Sequence, residues 1–312
     1  MKEIYAQLKY YWIYNVKGYY LASLGAFLAI AIYFNYQFDF ENSVLRVRER
    51  TENYTFFVIA YYSIPYLYAF VMYALFYNAW HIFRQWKFWL PVLTAIASLT
   101  LDESFYWHLA WIEQNVARPE NMNFLFACVQ NFVSAFLYFS PLFLYWFFVD
   151  RKKMPLYGFA PKAFNAKPYV IMLACMIPLL VAASFTEGFK ENYPVYNDFG
   201  FSKLNNIPQW ISVLFFEFFY GLDFIMVEFL FRGFMIIALI DVLGIDSILP
   251  MATLYCVYHF GKPMGEAISA FFGATILGVL AYNSRSIYGG ILIHIGVAFM
   301  MELLAFLQKC DF

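Results

Sequence analysis

Apolar residues run through this chain in long stretches, broken by short polar connectors. Nine runs stand out, at about 18–38, 55–80, 87–101, 123–149, 168–185, 209–240, 247–260, 265–282 and 286–307. Runs near twenty residues have the length of a membrane-spanning helix. In lipid every backbone N–H and C=O needs an internal partner, which leaves helices or closed barrels, and runs this long are helical. The pattern predicts an all-α, polytopic membrane protein with about eight or nine transmembrane helices. The runs at 87–101, 247–260 and 265–282 are short, and the sequence predicts that they tilt or bury within the bundle.

Composition supports a bilayer as the solvent. The chain has 312 residues, 63% hydrophobic and only 13% charged, with a mean hydropathy of +0.60. An ordinary soluble domain is about half apolar and about a quarter charged. A net charge of −1 gives no electrostatic case for nucleic acid. The expected partners are membrane lipid and a membrane-associated protein or peptide substrate. Oligomeric state is not legible. Cys128, Cys175, Cys256 and Cys310 are scattered and read as small hydrophobes rather than as ligands or disulfides. The N-terminal stretch lacks the short apolar core and small-residue exit of a cleavable signal, so the first apolar run is expected to be an uncleaved span.

The connectors suggest an orientation. Asp150 to Lys167 begins Asp-Arg-Lys-Lys and holds five Lys and Arg residues, the strongest positive-inside signal in the chain. With that loop in the cytoplasm, the N-terminus is cytoplasmic too, and the expected location is the plasma (inner) membrane. Arg46, Arg48 and Arg50 then fall outside, against the rule. Intramembrane polar groups concentrate after about residue 209. Residues 1–167 therefore read as accessory transmembrane helices and 168–312 as a core that carries any chemistry.

Ionisable groups within spans cost about 2.5–3.5 kcal/mol each on insertion scales and usually face the bundle interior. Here they are Glu217, Asp223, Glu228, Arg232, His259, Glu266, His294 and Glu302. Glu228 and Arg232 are four residues apart and can pair on one helix face, which by itself is a structural clasp. A lone buried histidine is ordinarily a hydrogen-bonded core residue. Two histidines and a glutamate on three different runs favour one shared polar site instead. Such a site can activate water for hydrolysis, bind zinc, or relay protons in a carrier. The His-Glu-x-x-His signature is missing from the sequence, and no inverted repeat of a transporter stands out.

The order of these residues narrows the choice. Glu228-x-x-x-Arg232-Gly233 comes first, then Tyr255-x-x-x-His259, then the small-residue run 271–294 ending at His294. This succession, over about residues 209–305, resembles the CPBP family, the CAAX-prenyl-protease and bacteriocin-processing intramembrane proteases, also called Abi. The resemblance implies a CPBP-like helical bundle in the C-terminal half and an endopeptidase that needs no organic cofactor. In that family a Glu-Glu pair precedes the Arg; its first Glu and the first His activate a water. The second His and an Asn stabilise the oxyanion, and the Arg is structural.

Carried across, His259 and His294 match the two histidines, Arg232 the arginine, and Glu228 the second Glu of the pair. Val227 stands in the place of the first Glu and Ala298 in the place of the Asn; Tyr255 replaces a Phe. The resemblance thus implies Glu228, His259 and His294 as catalytic residues. Arg232 would hold Glu228, with Asp223, one turn before Val227, as a surrogate acid and Glu302 as a further helper. Three readings fit: a divergent protease, a catalytically inactive scaffold on the same fold, and a site rebuilt around zinc from Glu228, His259, His294 and Glu302. No metal is assigned in the first two.

Overall fold

A computed structural model of the chain describes residues 2–159 and 164–309. Cys310 and part of the basic connector therefore lie outside the described residues.

The described residues begin with the short helix α1 (Lys2–Tyr10), followed by α2 (Gly18–Phe38), α3 (Tyr54–Tyr77), α4 (Trp86–Ser104), α5 (Trp107–Asn115) and α6 (Pro119–Tyr145). Then come α7 (Lys167–Ser184) and two short helices, α8 (Glu187–Asn192) and α9 (Phe201–Leu204). The last part holds α10 (Gln209–Glu228), α11 (Ile240–Leu243), α12 (Ile248–Tyr258), α13 (Met264–Ser284) and α14 (Tyr288–Lys309). No strand occurs among the described residues.

Seven of the described helical segments are long and apolar enough to cross a membrane. The protein is an integral, multi-pass membrane protein. All nine apolar runs are helical, but two that looked short are not. The run at 247–260 extends back to Ile240, and α13 spans 21 residues. Local signals set the ends. α2 and α3 stop where Asp39 and Asn78 turn into the left-handed region, each donating its backbone N–H to a carbonyl of the last turn. α6 opens on Pro119, whose missing N–H costs nothing in a first turn.

Two classes of surface follow from the packing. α2, α3, α6 and α7 leave large side chains such as Phe56, Phe136 and Leu179 outward, as lipid-facing helices do. α12 and the segment after α10 are buried almost throughout, against α3, α4 and α13. Glu228 and Arg232 sit in this inner layer. α10 does not end at Glu228. It widens there into a π-helix, Phe229–Ala238, nearly all of it buried. Expanded turns of this kind are uncommon and recur at functional sites.

Candidate functional site

The widened turn places Glu228 and Arg232 on the inner face, with no exposure for Glu228 and almost none for Arg232. Arg232 Nη1 lies 2.9 Å from Glu228 Oε1. The N–H does not point at the oxygen, so charge rather than an aligned hydrogen bond holds the pair. The guanidinium also sits 4.2 Å over the Tyr255 ring, a cation–π contact inside a desolvated layer. Glu228 Oε2 and Arg232 Nε have no hydrogen-bond partner in the protein.

His294 joins this pair from α14. Its Nδ1 lies 3.0 Å from Glu228 Oε1. A carboxylate accepts, so Nδ1–H donates; in the neutral imidazole Nε2 then keeps its lone pair. That Nε2 is 3.5 Å from the Tyr255 hydroxyl, long for a hydrogen bond. Phe224 packs against the imidazole with ring centroids 4.4 Å apart. The carboxylate fits because the helix surface one turn before His294 is Gly290. A Cβ there would meet Glu228 Oε2 at 2.0 Å.

His259 stands at the C-terminal end of α12. Its Nδ1 lies 2.9 Å from the Tyr255 carbonyl oxygen, which only accepts. The proton is therefore on Nδ1, and Nε2 is again the free lone pair. The Tyr255 ring lies beside both imidazoles, 4.4 Å from His259 and 6.4 Å from His294 between centroids. Both histidines are half-buried, whereas Glu228 and Arg232 are sealed behind them.

The structure thus brings together Glu228, Arg232, His259 and His294 around Tyr255. It joins Glu228 to His294 rather than to His259. Asp223 makes no hydrogen bond to this group. It is half-buried, its Oδ1 is unpaired, and it lies within Coulombic reach of Asp102 and Lys262. Glu302 is engaged elsewhere. Its two oxygens accept from the backbone N–H groups of Val195 and Tyr196 at 2.7 and 3.1 Å. That clasp ties the 193–196 connector to α14. Hydrogen bonds to a charged group contribute about 1.5–3 kcal/mol each. Glu302→Ala removes both and is therefore expected to lower stability by about 3–6 kcal/mol and to speed hydrogen exchange at the Val195 and Tyr196 amides.

The two departures from the resembled pattern are packed into apolar surroundings. Val227 is buried in the main core, with Met226 and Phe229 of its own helix in the same cluster. Ala298 is buried with Phe216 and Tyr220. The four donors weighed for zinc do not meet as one group. Glu302 is on backbone amides, Glu228 Oε1 faces Arg232 and His294, and no group of three or more His, Cys, Asp or Glu among the described residues is placed to hold a metal ion.

Tyr255 and Gly290 were not singled out as site residues from the sequence. Both stood one turn before a histidine, at the i−4 position that shares its face, and that spacing was the signal.

A buried Glu–Arg pair and two half-buried histidines thus form one polar cluster within the helical bundle. Residues 208–300 match the family model described as type II CAAX prenyl endopeptidase Rce1-like. The C-terminal half of the chain carries an Rce1-like domain, a fold of the CAAX-protease type. No curated protein and no solved structure matches the chain.

Proposed function

We propose that the protein is an intramembrane endopeptidase that hydrolyses peptide bonds of membrane-associated protein or peptide substrates. The observation that carries this reading is the pair of half-buried imidazoles, each fixed through Nδ1 with Nε2 free. His259 Nε2 takes a proton from the attacking water. The His259 imidazolium returns that proton to the leaving amine. His294 faces the scissile carbonyl; once its Nε2 has taken up a proton from water, that N–H donates a hydrogen bond to the developing oxyanion, and the Glu228 carboxylate stabilises the positive charge on the ring. Arg232 holds Glu228 in place. Glu228 itself is a poor water activator. It is fully buried, and its engaged oxygen already faces a guanidinium and an imidazole. The positive-inside pattern supports a cytoplasmic N-terminus in the plasma (inner) membrane.

One observation favours a second reading, a non-catalytic membrane scaffold on the same fold. Val227 and Ala298 put apolar side chains, set in apolar clusters, where the resembled family carries a proton acceptor and an oxyanion donor. Loss of one oxyanion donor can cost about 10²–10³ in rate. Comparative proteomics of membrane peptides separates the two. Cells carrying the wild type are compared with cells carrying His259→Ala and Glu228→Gln at matched expression. We expect a defined set of cleaved termini in wild type that is missing from both variants. Identical peptide patterns in all three would leave the scaffold reading.

A further inference from the structure

The helices α2 and α3 reach the site at the C-terminal end of α12. Helix ends leave carbonyls without intrahelical donors. Here side chains from α2 and α3 take three of the carbonyls that flank His259. Tyr61 Oη donates to the Val257 carbonyl at 3.0 Å, and Asn35 Nδ2 to the Phe260 carbonyl at 3.0 Å. Tyr36 Oη donates to the Lys262 carbonyl at 2.7 Å. Asn35 is buried, and its Oδ1 accepts from the Glu41 backbone N–H at 3.1 Å, so its amide orientation is set from both sides. The Glu41 carboxylate presses on the same loop. A Cβ at Gly261 would meet its oxygens at 3.0 and 3.1 Å.

The backbone that these bonds hold is unusual. The last turn of α12 tightens: His259 N–H donates to Cys256 O at 3.1 Å and Phe260 N–H to Val257 O at 3.0 Å, three residues back rather than four. In a regular α-helix His259 N–H would donate to Tyr255 O. Tightening releases that carbonyl, and the His259 imidazole takes it through Nδ1. The Tyr255 carbonyl thus has two competing donors on one residue. If the backbone N–H wins, the ring loses its anchor and both tautomers become open to it.

We infer that Asn35, Tyr36 and Tyr61 are positioning residues that hold the end of α12 in its tightened form and so keep the His259 proton on Nδ1 and its lone pair on Nε2. The inference rests on the reading of His259 as the base only for its consequence in turnover; the brace itself is a matter of tautomer. It gives the accessory helices α2 and α3 a task in the chemistry of the C-terminal domain.

The test uses full-length protein, labelled with ¹⁵N-histidine, in lipid bilayers. The chain has 4 histidines, few enough to assign by substitution. Solid-state NMR of the wild type is expected to show His259 protonated at Nδ1. Tyr36→Phe/Tyr61→Phe, which removes only two hydroxyls, and Asn35→Leu are each expected to move part of the His259 population to the Nε2–H form. Tyr68→Phe is the control. Its hydroxyl donates to the Ser23 carbonyl at 3.2 Å in the same α2–α3 interface, away from α12, and the tautomer should not change. The yield of the wild-type-specific cleaved termini should fall by about tenfold in the brace variants, a fraction of what a general base supplies. An unchanged His259 tautomer in the double Tyr→Phe variant overturns the brace. A shifted tautomer with undiminished cleavage upholds the brace and removes His259 as the base.

Discussion

His259→Ala is expected to lower the rate of peptide cleavage by the purified protein in bilayers by about 10²–10⁴-fold, the usual contribution of a positioned general base. The substitution removes the Nε2 lone pair without touching the buried charge pair. It breaks one hydrogen bond, from Nδ1–H to the Tyr255 carbonyl, in a half-buried position. The freed carbonyl can return to the backbone N–H of residue 259 as a normal helix turn, so the fold should change little. His259→Gln offers the stricter comparison, because its amide can donate to the same carbonyl yet cannot accept a proton from water near neutral pH. Both variants should lose activity alike while keeping the wild-type unfolding transition. Activity retained in His259→Ala would refute the role assigned to this residue.

The second large effect concerns stability. Arg232→Met is expected to destabilise the protein by about 3–5 kcal/mol, the cost of leaving a buried charge without its partner. Glu228 has no exposure, and one of its oxygens has no hydrogen-bond partner even in the intact site. Without the guanidinium only His294 remains to face the carboxylate. The lost contact over the Tyr255 ring adds to the cost. The charge pair itself is not expected to be a net source of stability, since its desolvation offsets much of its attraction. The double variant Glu228→Met/Arg232→Met should therefore be more stable than Arg232→Met alone. Reversible unfolding of the three proteins in detergent measures both differences. A double variant no better than the single one would show that Arg232 matters through packing rather than through charge.

These two predictions separate roles that proximity alone confuses. His259 is half-open and carries the free lone pair; Arg232 is sealed and carries the carboxylate. Glu228 lies between them in function. Glu228→Gln keeps the volume and can still accept from His294 Nδ1–H, but it removes the negative charge that would stabilise a protonated imidazole.

Much of this molecule was legible along the chain. Nine apolar runs gave nine helices, because in lipid a long apolar segment has no other way to satisfy its backbone. Two of their charged interruptions, Glu228 and Arg232, marked the inner layer, because a charge in hydrocarbon must turn inward. The spacing from Glu228 to Arg232 predicted their pairing, since residues four apart share a helix face. The order of the Glu-x-x-x-Arg segment and the two histidines pointed to the same family that residues 208–300 match.

Tertiary structure decided what a linear pattern does not encode. The sequence has no means of choosing which histidine faces Glu228, because that depends on how α14 lies against α10. The answer is His294, admitted by the bare backbone of Gly290. Glu302 looked like a helper on the polar side of α14; it instead holds the amides of Val195 and Tyr196, on a connector more than a hundred residues away in sequence. The brace on α12 was equally hidden, since Asn35, Tyr36 and Tyr61 carry no motif and meet Val257, Phe260 and Lys262 only when the bundle closes. Periodicity tells each helix which face turns inward. Which side chain it meets there is settled by packing between helices distant in sequence.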